Sequence, residues 1–141
     1  MLSEEQRAIC VASLLESHRT KVQGTRPSER FPQIEIADSY AISSAVAQAR
    51  VAAGAKIIGH KVGLTSKAMQ AASKIDEPDY GHLLDDMFRA DGDTLQAARF
   101  IVPRIEVELA FVLGRPLAGP GVTLFDVLRA TEFVPPALAL I

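Results

Sequence analysis

PRIEVELAFVL, residues 103–113, sets apolar side chains in strict alternation with others. A period of two is the mark of a β-strand, in which i and i+2 share a face with Cα atoms ~6.6 Å apart. Ile105, Val107, Leu109, Phe111 and Leu113 then line one face, and Glu106, Glu108, Ala110 and Val112 the other. The apolar face is expected to lie against a core. That leaves two carboxylates beside Ala110 and Val112 in a partly enclosed place, where they repel unless something positive stands between them. A hard divalent cation such as Mg²⁺ or Mn²⁺ meets that need, because carboxylate oxygens are its preferred ligands. The plainer reading is a solvated face balanced by Lys or Arg.

Working outward, 141 residues suffice for one domain with a buried core. A composition 48% hydrophobic and 23% charged, with net charge −2, leaves no basic stripe for nucleic acid or an anionic membrane. Charge-free stretches are broken by Gly or Pro before they reach a bilayer span. MLSEEQRAIC at the start is acidic and lacks the order of a signal peptide. The lone cysteine, Cys10, has no internal partner and reads as an inert helix residue in a reducing, cytoplasmic setting. The closing VPPALALI (134–141) reads as a strand cut off from its continuation.

Helices come first. Ala8, Val11, Leu15, His18 and Val22 recur at helical spacing over about 3–23, Ser3 and Gln6 have capping-box spacing, and Gly24 is the expected stop. His18 on that stripe reads as a packed, hydrogen-bonded histidine. A Pro-containing connection over 25–33 leads to a second helix at about 36–53, with Asp38 near its start and Gly54 beyond its end. The character changes at KIIGHKVGL (56–64), which is β-rich, followed by Thr65 as cap of a short helix to about Ala72. Pro78-Asp79-Tyr80-Gly81 reads as a turn, as does DGD (91–93). Strands are expected at 100–102, 105–113 and 133–141, with a helix begun by Thr123 and Asp126. Helices followed by strands make the chain α+β, with a helical region over 1–55 and a β-rich region over 56–141.

Four ordered stretches resemble the 2-oxo-4-pentenoate hydratase family of the fumarylacetoacetate hydrolase superfamily: GHKVGLTSKAMQ (59–70), EPDYGHLLDDMF (77–88), FIVPRIEVELAFVL (100–113) and TLFDVLRATEFVPPAL (123–138). The resemblance implies the first part of a mixed β-roll catalytic core behind the helices. It implies a Mg²⁺- or Mn²⁺-dependent hydro-lyase of aromatic-compound catabolism, including 4-hydroxyphenylacetate degradation. Water would add to a 2-oxo-alkenoic diacid such as 2-oxo-hept-3-ene-1,7-dioate. It places two metal-ligating carboxylates on Glu106 and Glu108, and the family's third at a PALE motif that here reads PALA, with Ala139 in the glutamate's position.

By the same resemblance Lys61 binds or polarises the substrate and Asp79 takes part in proton transfer. His60 is a supporting group on the opposite strand face, and Arg104 meets a distal carboxylate or balances the two glutamates. It also implies a homo-oligomer, with a related decarboxylase subunit as a possible companion. Without the motifs, Lys61 would be a snorkelling surface lysine and Asp79 a turn residue bonding its own backbone. Two other functions stay open: 2-oxo-3-hexenedioate (4-oxalocrotonate) decarboxylation, and a non-catalytic fragment or partner subunit that associates through an incomplete sheet.

Overall fold

The computed structural model describes residues 1–141, which divide into two compact units, Met1–Ile101 and Val102–Ile141. Helices and small antiparallel sheets make the chain α+β, as expected from the order of its patterns.

In the first unit, α1 (Glu4–Thr20) opens with the expected capping box: Ser3 accepts from the Gln6 N–H and Gln6 answers to the Ser3 N–H. It stops sooner than Gly24, at Lys21, whose left-handed backbone (φ 60°) returns its N–H to the Ser17 carbonyl. A one-turn helix α2 (Pro27–Arg30) interrupts the expected connection, with proline at its first position. Helix α3 (Ile36–Ala52) runs close to the expected span, and Gly54 beyond it is left-handed. Leu2, Cys10 and Ile42 bury together between α1 and α3, with Val11, Phe31 and Ile34 packed around them. Cys10, read from the sequence as a helix residue, lies in α1 and is buried there as a small core hydrophobe. His18 is not the packed residue of the expected stripe: it is exposed, because Cys10 rather than Ala8 or Val22 marks the buried side of α1.

Asp38 joins these helices. Fully buried, it accepts the N–H groups of Leu2 (2.9 Å) and Glu35 (3.2 Å) on one oxygen, while Arg7 stands 3.9 Å from the other. Burial alone would raise its pKa. The two backbone donors, with the N-terminal and Arg7 charges, outweigh that and hold the carboxyl below its usual range.

Strand β1 (Ile57–Gly63) pairs antiparallel with β2 (Asp79–Leu84). This corrects the turn expected at 78–81: Asp79, Tyr80 and Gly81 have turn-like composition, but each faces a β1 partner and the ladder decides. Between the strands, α4 (Lys67–Ser73) is capped by Ser66, not Thr65, through a bond from the Met69 N–H. Asp85 and Lys56 close the base of the hairpin with reciprocal bonds of 2.9 Å, and Arg50 of α3 grips Asp86 beside it. Tyr80 stacks on Tyr40 of α3 at 4.7 Å. One hairpin face is therefore committed to the helix.

In the second unit, β3 (Ile105–Leu109) pairs antiparallel with β6 (Pro136–Leu140), and β4 (Val112–Leu113) with β5 (Thr131–Phe133). The single strand expected over 105–113 is therefore broken at Ala110–Phe111, and the one over 133–141 at Val134–Pro135. Helix α5 (Leu124–Ala130) starts at Thr123 with Asp126 in a full capping box, as expected. No strand forms at 100–102, where a 3₁₀ turn at Ala97–Arg99 precedes a bend. The covered side of β3 also reverses the expectation. Val107 is 84% exposed and Ile105 70%, whereas Glu106 and Glu108 are half-buried. Alternation identifies two faces; which one is covered depends on what packs there, and the aliphatic side of this two-stranded sheet is the more exposed one.

Candidate functional site

The β1–β2 ladder sorts the motif GHKVGL (59–64) onto two faces. Gly59, Lys61 and Gly63 stand on one, opposite Leu83, Gly81 and Asp79 respectively. His60 and Val62 stand on the other, opposite His82 and Tyr80, on the side that carries the stack with Tyr40. The face away from α3 is thus floored by three glycines and carries one ammonium and one carboxylate.

Lys61 and Asp79 are diagonal neighbours on that floor, a relation that sets Cβ atoms ~7–8 Å apart. Lys61 is half-buried, and a Cβ built on Gly81 opposite it would meet nothing within 4 Å. Gly63 differs. A Cβ there would lie 2.2 Å from Asp79 Oδ1 and 3.2 Å from its Cγ, so the carboxylate rests over the space that a side chain would fill. Here glycine is favoured by close approach rather than by φ. The loop beyond is fixed by Leu64 in the left-handed region (φ 51°), whose carbonyl accepts 2.7 Å from the buried Gln70 side chain.

His60, expected to support substrate binding, is turned away from Lys61 and Asp79. Its ring lies 5.2 Å from that of His82, tilted by 53°, and the buried His82 Nδ1 has no hydrogen-bond partner. His82 was not singled out from the sequence. It stands in the quoted stretch EPDYGHLLDDMF, but its pairing with His60 follows only from a register that the expected turn at 78–81 concealed.

In the second unit, Glu106 faces Ala139 and Glu108 faces Ala137 across the β3–β6 ladder. The two carboxylates share a half-buried face whose cross-strand partners are the methyl groups of Ala139 and Ala137. Arg104 precedes them, exposed, its backbone bonded in both directions to Ile141. No cluster of three or more His, Cys, Asp or Glu side chains gathers in the structure. Two oxygen-donor side chains suit a hard cation that keeps most of its water, as Mg²⁺ does, but they do not enclose one. Ala139, which the family resemblance sets at the third ligand position, is the direct ladder partner of Glu106.

No protein-family model matches the chain. It is 50% identical to the 2-oxo-hept-4-ene-1,7-dioate hydratase of Escherichia coli over 141 residues, all of this chain and 53% of that one. It is 42% identical over 116 residues to the 2-hydroxyhexa-2,4-dienoate hydratase of Comamonas testosteroni, covering 81% of this chain and 44% of that one. Among solved structures, the 4-oxalocrotonate decarboxylase of Pseudomonas putida G7, complexed with magnesium and adipate, superposes with a TM-score of 0.93 at 32% identity. That match takes in the whole of this chain and 54% of the decarboxylase. The same enzyme complexed with calcium and acetate matches equally well. The chain spans about half the length of the curated relatives it matches, and those relatives bear out the resemblance read from its four motifs. No helix is long and apolar enough to cross a membrane.

Proposed function

We propose that this chain carries the first part of the mixed β-roll of a divalent-metal-dependent hydratase that adds water to a 2-oxo-alkenoic diacid. The observation that carries the reading is the 50% identity to a 2-oxo-hept-4-ene-1,7-dioate hydratase along all 141 residues. The decarboxylase shares the backbone at lower identity, 32%, and is the second reading.

Glu106 and Glu108 would hold the cation, Mg²⁺ or Mn²⁺, with water in place of the carboxylate that Ala139 cannot supply. When bound, such an ion stabilises negative charge on a neighbouring enolate oxygen. The protein's own groups have separate tasks. The Lys61 ammonium binds and polarises the acid end of the substrate, and Gly81 opposite it, with open space where a side chain would stand, lets a flat conjugated chain lie close to the backbone. Asp79 receives and returns a proton on the carbons of that chain, a role for which a positioned carboxylate is suited. His60, facing the other way, supports the hairpin, and Arg104 meets the far carboxylate of a diacid.

The test is consumption of a 2-hydroxy-dienoate diacid in the presence of Mg²⁺ or Mn²⁺, followed by its ultraviolet absorbance. Hydration leaves all the carbon in a 4-hydroxy-2-oxo acid, whereas release of CO₂ would move the assignment to the decarboxylase. Lys61→Ala and Asp79→Asn should each slow turnover at least a hundredfold. No turnover, with no Mn²⁺ taken up at Glu106 and Glu108, would remove the catalytic reading for this chain.

A further inference from the structure

The reverse face of the β1–β2 hairpin sets two imidazoles side by side. His60 and His82 are direct ladder partners, a relation that holds Cβ atoms ~4.5–5.5 Å apart on one face of the sheet. Their ring centres lie 5.2 Å apart with the planes tilted by 53°, so the rings are not stacked face to face. His60 is exposed, whereas His82 is half-buried and shares its strand face with Tyr80 and the buried Leu84. The Nδ1 of His82 is sealed from solvent and has no hydrogen-bond partner. Edge-to-face packing accounts for the contact of the two rings, but not for this nitrogen. Buried polar atoms left unmatched are rare in folded proteins, and each calls for a reason.

We infer that His60 and His82 form a two-histidine site for a transition ion of the Zn²⁺, Ni²⁺ or Cu²⁺ class, separate from the carboxylate pair Glu106 and Glu108. An imidazole nitrogen binds Zn²⁺ at about 2.0–2.1 Å and lies about 1.2 Å from its own ring centre, so two rings on one tetrahedral ion have centres about 5 Å apart. The observed 5.2 Å meets that condition. The ion takes the lone pair of His82 Nδ1 and so supplies its missing partner. Exposed His60 turns about its side-chain torsions to admit the ion and give the second nitrogen. The ladder neighbours on this face, Val62 and Tyr80, bring no positive charge, and Lys61 stands on the other face. Water completes the coordination, since no third His, Cys, Asp or Glu gathers with the pair. Imidazole suits these ions whereas Mg²⁺ demands oxygen, so the two sites sort ions by class. Once bound, the ion ties β1 to β2 and stiffens the hairpin whose opposite face holds Lys61 and Asp79. Such binding requires no turnover and is independent of the hydratase reading.

The test is titration calorimetry of the untagged, metal-free full chain with Ni²⁺, in excess Mg²⁺ to fill oxygen sites. One Ni²⁺ per chain is expected. His60→Ala and His82→Ala should each weaken its binding at least tenfold. His18→Ala, which removes the remaining histidine, should leave it unchanged, as should Glu106→Gln combined with Glu108→Gln. With Cu²⁺ as the probe, electron paramagnetic resonance should show two coupled nitrogens in the parent and no more than one in either histidine variant. Saturating Ni²⁺ should slow amide exchange along 59–63 and 79–83. His60 is exposed, so its replacement removes no core packing, and near-ultraviolet circular dichroism of the Tyr40–Tyr80 stack reports whether each variant keeps the hairpin. Should His82→Ala lose that signal, His60→Ala and the nitrogen count decide. Absence of binding at millimolar Ni²⁺ would overturn the proposal, as would binding indifferent to His60→Ala. Binding lost with His18 or with the two glutamates would assign the ion elsewhere and overturn it equally.

Discussion

Replacing Gly63 with alanine tests whether the absence of a side chain there is what seats the Asp79 carboxylate. The new Cβ would lie 2.2 Å from Oδ1, a distance no such pair sustains, and 3.2 Å from Cγ, a tight contact. Asp79 is exposed and can turn away, so the cost is that of leaving its preferred rotamer, about 0.5–1.5 kcal/mol. Against this, alanine restricts the unfolded chain and stabilises by about 0.4–1 kcal/mol wherever the native backbone accepts it. Gly63 lies in an ordinary strand, so that gain applies. The two terms nearly cancel in the single variant, which makes its stability alone uninformative. In an Asp79→Ala background the clash is gone and only the gain remains. Gly63→Ala should then stabilise, and the double-mutant cycle should return a coupling of about 0.5–1.5 kcal/mol.

Urea unfolding followed by tyrosine emission provides the assay. The chain has no tryptophan and two tyrosines, Tyr40 and Tyr80, which form the stack joining β2 to α3. With a slope of about 1–3 kcal/mol per molar urea, the coupling is a midpoint difference of a few tenths molar or more. A coupling within about 0.3 kcal/mol of zero would refute the reasoning, because the two residues would then not compete for the same space.

Ala139→Glu sets a third carboxylate directly across the ladder from Glu106, so Mn²⁺ affinity measured by titration calorimetry should rise at least tenfold; unchanged affinity would dismiss Ala139 as the missing ligand position. Acid should weaken the fold through Asp38, Asp85 and Asp126. Backbone donors hold Asp38 down against its burial, the Lys56 N–H does the same for Asp85, and the Thr123 hydroxyl for Asp126. Each binds its proton more weakly folded than unfolded, so the stabilisation is full above about pH 4 and fades as pH falls through the lowered native values. Urea midpoints at pH 7 and pH 3 check this, and Asp38→Asn should flatten the difference. A midpoint that rises on acidification would reverse the sign.

Features decided within a turn or two of chain are legible in the residues themselves. The boxes at Ser3–Gln6 and Thr123–Asp126 are written in four residues each, and Gly54 ends α3 for reasons local to itself. Lys21 shows the limit: a left-handed cap on a non-glycine residue leaves no compositional trace. Pro78–Gly81 shows a different one, because turn-like residues become strand when a partner at the right register offers them a ladder. Period-two alternation over 105–113 names the residues of each face correctly as far as Leu109. It cannot show that the chain changes sheets at Ala110–Phe111, nor that the glutamates rather than the aliphatics occupy the more covered side. For the proposed site, the motifs supply the candidates Lys61, Asp79, Glu106 and Glu108. The carboxylate lying over Gly63, and the His60–His82 pair on the reverse of the hairpin, depend on register and emerge only with the fold.

The break that divides 105–113 from itself is matched on the returning chain by Val134–Pro135, where the Ala110 N–H meets the Pro135 carbonyl at the bend. Proline has no N–H to return, so the ladder cannot run through unaltered, and the kink sets how β3 and β6 line up beyond it. Shifting that alignment by one residue would present Ile105, Val107 and Leu109 where Glu106 and Glu108 now stand. Loss or gain of one codon at the bend would invert the chemistry of the whole surface while leaving both glutamates in the gene.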